Sequence, residues 1–160
     1  MTTDEWQSVK IGQLGRVVTG KTPPTKQPEL YGKVYPFITP TDISDTLHTV
    51  ETSRFLSQEG YEFQNNLLIP PKSVCFTCIA SIGKICITTE PSFTNQQINT
   101  IIVNHDEYDF RFVYHLLIAE TERIKKYASG SAAPIINKSA FSDIEVVVPS
   151  IVIGVGTDKE

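Results

Sequence analysis

Several features that mark membrane or secreted proteins are missing from this sequence. No apolar run approaches the ~20 residues that a transmembrane helix needs. The first residues, MTTDEWQSVK, lack the basic region and the apolar core of a signal peptide. Only three cysteines are present, Cys75, Cys78 and Cys86, so they cannot all pair within one chain. These absences predict a cytoplasmic protein that contacts no membrane.

Motifs for metal binding and redox chemistry are also lacking. The three histidines, His48, His105 and His115, are isolated, and none belongs to a metal-spaced pair such as HExxH. Cys75 and Cys78 form a CxxC, but on a strand residues i and i+3 point to opposite faces, which is poor geometry for joint ligation. Thioredoxin-type motifs also open a helix, whereas this one lies in a predicted strand. The sequence therefore predicts no metal site.

Catalytic and cofactor-binding motifs are absent too. The chain has no glycine-rich dinucleotide loop, no P-loop and no nucleophile elbow. The Ile-Pro-Pro-Lys at 69–72 is not the Asn-Pro-Pro-Tyr type of motif found in amino-methyltransferases. Asp42, Asp45 and Glu51 resemble a nuclease cluster only superficially, because no lysine follows at a useful spacing. A non-catalytic protein without a cofactor is the prediction.

Size and charge narrow the choice of partner. The chain has 160 residues, 40% of them hydrophobic, which is typical of one globular domain. Its net charge of −4 counts against DNA binding, because phosphate contacts normally come from a basic surface. DNA binding would therefore need a local basic face, or a partner subunit that neutralises most of the backbone.

Short strands and one amphipathic helix predict an α+β fold. We expect a curved, mostly antiparallel sheet with polar loops and short helical turns, including one turn at 57–61 that Gly60 ends. The predicted strands are 15–19, 35–39, 73–80, 84–89, 98–103 and 144–148. The helix should cover about 108–128, with Asp106 or Asp109 as its cap, a Glu122–Lys126 pair and a stop at Gly130. Its apolar stripe is Val113, Leu117, Ile124 and Ala128.

Five segments are rich in small polar residues: 19–23, 39–43, 81–84, 94–97 and 129–131. Lysines, hydroxyls and backbone N–H groups can hold phosphates, and Asn or Gln can pair with adenine in the major groove. Each segment alone is also compatible with an ordinary turn or a helix stop. The candidate DNA contacts are Lys21, Thr22, Thr39, Asp42, Ser81, Lys84, Asn95, Gln96, Gln97, Ser129 and Ser131.

The order of these segments resembles a target recognition domain of a type I restriction–modification specificity subunit. No single motif is specific, and the resemblance lies in their order over about residues 6–149. The matching stretches are Trp6, IGQLG at 11–15, VTGKTP at 18–23, PFITPTDI at 36–43, CIASIGK at 78–84, TNQQIN at 94–99, ASGS at 128–131, PIINK at 134–138 and the strand ending at Pro149.

The resemblance implies a sequence-specific DNA recognition module without chemistry of its own. Such a module binds one half of a split double-stranded target. It directs a separate methyltransferase subunit and, through that subunit, a restriction subunit. The methyltransferase also helps to enclose the DNA, which weakens the objection from net charge.

Near its C-terminus the sequence differs from the family it resembles. A complete specificity subunit has two recognition domains, each followed by a long helix, whereas Gly154 and Gly156 disfavour a helix after Pro149. We therefore expect one recognition domain at 1–149 and a tail at 150–160. The alternative is a protein-interaction module that does not bind DNA, with the apolar residues 151–153 as a docking or homodimerising segment. An enzyme of unrecognised type would need a cluster of titratable groups that the sequence does not show.

Overall fold

The computed structural model describes residues 5–44 and 49–150. Its strands are β1 (Trp6–Lys10), β2 (Gly15–Thr19), β3 (Tyr31–Gly32), β4 (Tyr35–Ile38), β5 (Arg54–Leu56), β6 (Val74–Thr77), β7 (Ile85–Ile87), β8 (Phe93–Thr94), β9 (Ile98–Val103) and β10 (Glu145–Pro149). Its α-helices are α1 (Ile11–Leu14), α2 (Gln58–Gln64), α3 (Phe110–Lys125) and α4 (Lys138–Asp143), and 3₁₀ turns cover Pro28–Leu30, Pro40–Asp42 and Asn65–Leu67.

A central antiparallel sheet has the strand order β2-β9-β6-β7. Its middle strand β9 is rich in β-branched residues and buried on both faces, as expected of a strand covered on two sides. Val17 of β2 and Val74 of β6 both lie opposite Ile101 of β9. The predicted strands at 15–19, 73–80, 84–89 and 98–103 all fall in this sheet, with bounds that differ by a few residues.

A second four-stranded sheet has the order β3-β5-β4-β8, in which only the β4–β8 pair is parallel. Strands β1 and β10 form a separate antiparallel ribbon. The predicted α+β class with mostly antiparallel strands is thus confirmed, although the described strands divide among two sheets and a ribbon. Within the described chain, no helix is long and apolar enough to cross a bilayer.

Each face of the central sheet buries its own set of side chains. On one face Val74, Phe76 and Cys78 join the main core, which also contains Leu117 of α3 and Phe141 of α4. On the other face, residues of β4, β6, β7 and β9 and the residue after the Pro40–Asp42 turn make a smaller core: Ile38, Ile43, Cys75, Cys86 and Ile98. The molecule therefore has a helical layer, the central sheet and the second sheet in succession.

The ribbon brings the two ends of the described core together. Trp6 lies opposite Pro149, and the Ser150 N–H donates to the Glu5 carbonyl at 2.8 Å. The predicted tail at 150–160 lies outside the described residues, apart from Ser150.

Helix α3 confirms the predicted amphipathic helix, with Val113, Leu117 and Ile124 buried. The Asp109 side chain caps it by accepting from the Arg111 N–H at 2.8 Å. The expected Glu122–Lys126 pair was wrong: Glu122 pairs with Lys125 at 3.3 Å. The helix ends at Lys125, so residues 126–128, Lys126 included, lie beyond it.

The prediction for Gly60 was also wrong. Gly60 does not end a helical turn but lies within α2, which Ser57 caps by accepting from the Gly60 N–H at 3.0 Å. A Cβ at this position would collide with the Leu30 carbonyl oxygen. Close packing on the 3₁₀ turn at Pro28–Leu30 therefore requires glycine here, and it outweighs the poor helix propensity of that residue.

Candidate nucleic-acid interface

The strand directions bring four of the five polar segments to one end of the molecule, and the backbone pairing of Ile79 with Ile135 places the fifth, 129–131, beside them. In the central sheet, β2 and β6 finish where β9 and β7 begin, because the neighbouring strands are antiparallel. Strand β4 is parallel to β8, so the segments that follow these two strands also lie together. We call the resulting surface the loop end and define it as residues 20–27, 39–44, 78–84, 94–97 and 129–138.

Backbone hydrogen bonds connect the loop-end segments into one surface. Each bond links two segments that are far apart in the sequence. They run from Lys21 N to Thr94 O (2.9 Å), Asn95 N to Ile38 O (3.0 Å), Cys78 N to Gln97 O (2.7 Å) and Ala80 N to Pro134 O (2.9 Å).

Two of the predicted contacts, Thr22 and Gln96, meet directly. The Thr22 hydroxyl donates to Gln96 Oε1 at 2.5 Å, and Lys21 is exposed beside this pair. Gln96 is exposed because it lies at the tip of the turn between β8 and β9. This group offers a cation, a hydroxyl and an amide side by side, which are the groups that contact phosphates and base edges.

The residues of α2 that hold Lys21 were not among the predicted contacts. The Lys21 ammonium lies 5.3 Å from the ring centre of Phe63, and Gln64 Nε2 donates to the Lys21 carbonyl at 2.9 Å. Phe63 is 44% exposed, and the two amides that follow α2, Asn65 and Asn66, are also exposed. The end of α2 therefore extends the loop end. In the sequence, the only local feature that indicates a role for the end of α2 is the run of amides after Phe63.

Thr39 and Asp42 form a cap, not a pair of free polar groups. Asp42 Oδ2 accepts from the Thr39 N–H at 2.8 Å and from its hydroxyl at 3.1 Å. Asp42 Oδ1 accepts from the Ser53 N–H at 3.2 Å, and Lys84 Nζ donates to the Pro40 carbonyl at 3.2 Å. The Asp42 carboxylate is thus occupied in shaping the surface; Asp45 lies outside the described residues.

Asn95 is only 7% exposed and shapes the turn that presents Gln96. Its Oδ1 accepts from the Gln97 N–H at 3.0 Å, and its Nδ2 donates to Gln97 Oε1 at 3.1 Å. Such local bonds between an asparagine and the backbone two residues on are typical of turns. In this arrangement the Nε2 groups of Gln96 and Gln97 are left to a ligand, because Gln96 Oε1 accepts from Thr22 and Gln97 Oε1 accepts from Asn95.

The β6–β7 hairpin tip is held from below by Thr77, which is fully buried. The Thr77 hydroxyl accepts from the Lys84 N–H at 2.9 Å and donates to the Ser81 carbonyl. Ala80 and Gly83 both adopt positive φ here, +62° and +103°. The tight tip exposes the Ser81 side chain.

Ser129 and Ser131 belong to a small loop that closes on itself. Ser129 and Ile135 exchange two backbone hydrogen bonds, at 3.1 and 2.9 Å, and both serines are exposed. Asn99 anchors Ile136, the residue after Ile135, because the Asn99 Nδ2 donates to the Ile136 carbonyl at 3.2 Å. The Asn99 Oδ1 in turn accepts from the Thr19 hydroxyl at 2.6 Å. Asn99 is a further residue that was not among the predicted contacts.

The charges of the chain are unevenly distributed. The loop end carries four lysines (Lys21, Lys26, Lys84 and Lys138) and one carboxylate, Asp42. At the other end of the central sheet, segments 70–73, 88–92 and 104–109 carry four carboxylates (Glu90, Asp106, Glu107 and Asp109) and one lysine, Lys72. The net charge of −4 therefore does not describe the loop end, which has an excess of positive charge.

The cysteines lie in the core as the strand pattern predicted, with Cys75 and Cys78 on opposite faces of the central sheet. Burial raises the pKa of the Cys78 thiol to about 12, so this thiol is protonated at neutral pH. Across residues 5–44 and 49–150, no three His, Cys, Asp or Glu side chains come together as a metal site would require.

Comparisons with known proteins agree with this architecture. The family model described as "Type I restriction modification DNA specificity domain" matches residues 3–154. The HindI specificity subunit of Haemophilus influenzae is 39% identical over 148 residues, which cover 91% of this chain and 32% of that subunit. The MjaIX specificity subunit of Methanocaldococcus jannaschii is 29% identical over 150 residues, 91% of this chain and 34% of that subunit.

Solved structures share the fold. A chain from a type I restriction–modification complex aligns with a TM-score of 0.68 at 19% identity, covering 90% of this chain and 34% of that one. The specificity subunit from M. genitalium aligns with a TM-score of 0.65 at 18% identity, covering 92% and 35%. This chain thus spans about a third of the length of the proteins it matches. Because the family model matches nearly the whole chain, this chain belongs to the type I restriction modification DNA specificity domain family.

Proposed function

We propose that this chain is a sequence-specific DNA recognition module of a type I restriction–modification system. It binds one half of a split double-stranded target through the loop end, as a single recognition domain at residues 1–149. It is not itself an enzyme. A methyltransferase subunit and, through it, a restriction subunit act on the DNA that the module selects.

The observation that carries this proposal is the convergence of five separate polar segments on one lysine-rich end. A turn made only to connect strands has no reason to gather amides, hydroxyls and cations on the same surface. Lys21 and Lys84, with the hydroxyls of Thr22, Ser81, Ser129 and Ser131, suit phosphates. Gln96 and Gln97 suit base edges. Thr39, Asp42 and Asn95 shape the surface that presents these groups.

The decisive experiment selects bound duplexes from a randomised pool at several salt concentrations, with and without a methyltransferase subunit. We expect enrichment of one short sequence, and an affinity that falls linearly with the logarithm of the salt concentration. Recovery of the starting pool in both conditions would overturn the proposal. Salt-dependent binding without enrichment would also contradict it, because it would leave only non-specific backbone contacts.

A further inference from the structure

A cleft of about 680 Å³ lies beside the loop end, between the 3₁₀ turn at Pro28–Leu30 and the start of β5. Two cations, Lys33 and Arg54, and two aromatic rings, Tyr31 and Phe55, line it. None of the described residues that line the cleft is acidic. None of its lining residues is among the predicted DNA contacts.

Arg54 is held in place by aromatic rings. Its guanidinium carbon lies 5.0 Å from the ring centre of Phe37 and 5.9 Å from that of Tyr31. Tyr31 is fixed in turn, because its hydroxyl donates to the Pro23 carbonyl at 2.5 Å. In the described part of the chain, no carboxylate pairs with Arg54. A planar cation that is positioned and unpaired loses little freedom when it binds an anion.

The cleft is continuous with the loop end. Thr25, on its rim, belongs to the same loop as Lys21 and Thr22. On the other side, the Ser53 N–H donates to Asp42 Oδ1 at 3.2 Å, so the start of β5 is tied to the cap at Pro40–Asp42. A strand of DNA that crosses the loop end therefore has a direct path into the cleft.

We propose that this cleft binds the sugar–phosphate backbone of the DNA strand that leaves the loop end. Arg54 and Lys33 contact its phosphates, and the Tyr31 and Phe55 rings pack against deoxyribose. This inference rests on the proposed function, because it extends the same interface. An acidic peptide would also satisfy two cations. The continuity with Lys21, Thr22 and the cap favours nucleic acid.

The test uses Arg54→Ala and Lys33→Ala in the full chain, titrated with the selected target duplex and with an unrelated duplex. Because backbone contacts carry no sequence information, each variant should lose affinity for both duplexes by a similar factor. Each should also flatten the salt dependence by roughly one unit of slope. Arg54→Lys should keep the slope and lose part of the affinity, since lysine lacks the planar group that stacks on the rings.

Arg16→Ala is the matched control, because Arg16 is an exposed arginine at the opposite end of β2, and its loss should change nothing. Thermal unfolding of every variant checks the fold, and Lys33→Ala tests the cleft without touching the rings that hold Arg54. If the wild-type chain binds no duplex, the proposed function itself fails. If it selects a target and both cleft variants bind like wild type, only this inference fails. Loss of methyltransferase capture with unchanged DNA affinity would instead make the cleft a protein-docking surface.

Discussion

Both ends of the central sheet use a buried threonine to hold a turn. At the loop end, Thr77 accepts from the Lys84 N–H at 2.9 Å and donates to the Ser81 carbonyl. At the opposite end, Thr88 accepts from the Ser73 N–H at 3.0 Å and donates to the Pro70 carbonyl at 2.8 Å. The buried threonines that hold the turns are therefore alike at the two ends of the sheet. The two ends differ in the exposed side chains that cover these threonines.

That exposed layer separates the two ends by chemistry. The loop end presents lysines, amides and hydroxyls, whereas the opposite end presents mainly carboxylates. We infer that the buried threonines are needed at both ends for stability, and that DNA binding depends on one end only. Paired substitutions at the two ends test this separation.

The largest effect should come from two glycines, Gly15 at the start of β2 and Gly20 directly after its end. A Cβ at Gly20 would overlap the Thr94 carbonyl oxygen, and one at Gly15 would overlap the Ile102 carbonyl oxygen. Since backbone atoms cannot swing aside as side chains do, we expect Gly20→Ala and Gly15→Ala each to lower the free energy of unfolding by about 3 kcal/mol. Urea unfolding measures this loss.

The same two glycine variants should differ in DNA binding, although both lose stability. The folded fraction of Gly20→Ala should bind DNA more weakly, because Lys21 and the 94–97 turn must move apart. The folded fraction of Gly15→Ala should bind as wild type does. Equal DNA affinities in the two variants would contradict the inference that DNA binding depends on the loop end only.

The threonine pair should give the next largest effect. Thr77→Val and Thr88→Val keep the side-chain shape. Thr77→Val removes the partner of the Lys84 N–H and of the Ser81 carbonyl. Thr88→Val removes the partner of the Ser73 N–H, while the Pro70 carbonyl still accepts from the Ser73 hydroxyl at 2.9 Å. Each should cost about 2 kcal/mol of stability. Only Thr77→Val should weaken DNA binding, because it releases the hairpin tip that carries Ser81 and Lys84. A Thr88→Val variant that lost DNA affinity as well would show that the two ends are coupled.

The sequence predicted those parts of the fold that have a strong local pattern. Strand β9 is a run of buried β-branched residues, and α3 has a clear apolar stripe, so both were found. Strands β3 and β5 have two and three residues, and their pairing depends on tertiary contacts that no local pattern encodes. Gly60 misled the prediction because its propensity argues against a helix while its packing requires glycine.

The candidate site shows the same limit. Polar composition identified all five loop segments, but it could not distinguish a side chain that faces a ligand from one that caps a turn. Asn95 and Asp42 shape the surface, although the Thr39-x-x-Asp42 spacing resembles that of a capping box. Lys21 is held by Phe63 and Gln64 across about 43 positions of sequence, which is beyond the reach of a local pattern.

A substitution at the exposed layer should have a smaller and more selective effect. If Gln96 pairs with one base, Gln96→Ala should cost on the order of 1–2 kcal/mol of binding at a single base position and nothing elsewhere. Gln7→Ala, at an exposed glutamine on the β1–β10 ribbon, is the matched control and should leave binding unchanged. Competition between single-base variants of the selected duplex measures both. A uniform loss over all positions would assign Gln96 to the backbone instead.

The smallest effect should come from two helix caps, one at each end of the sheet. Asp109 caps α3 near the opposite end, and Asn137 caps α4 at the loop end by accepting from the Ala140 N–H at 2.8 Å. Asp109→Ala and Asn137→Ala should each cost about 1 kcal/mol at neutral pH. Urea unfolding at two pH values then separates them, because only one of the caps can titrate.

The hydrogen bond from Arg111 is the main cause that lowers the pKa of Asp109 in the folded chain. A carboxylate with a lowered folded pKa stabilises the protein above its ordinary pKa of ~3.9, and that stabilisation is lost as the pH falls through the folded value. The cost of Asp109→Ala should therefore shrink in acid, while the cost of Asn137→Ala should not change. An unchanged cost for Asp109→Ala would mean that its charge, and with it the acidic character of that end, contributes nothing to the stability of α3.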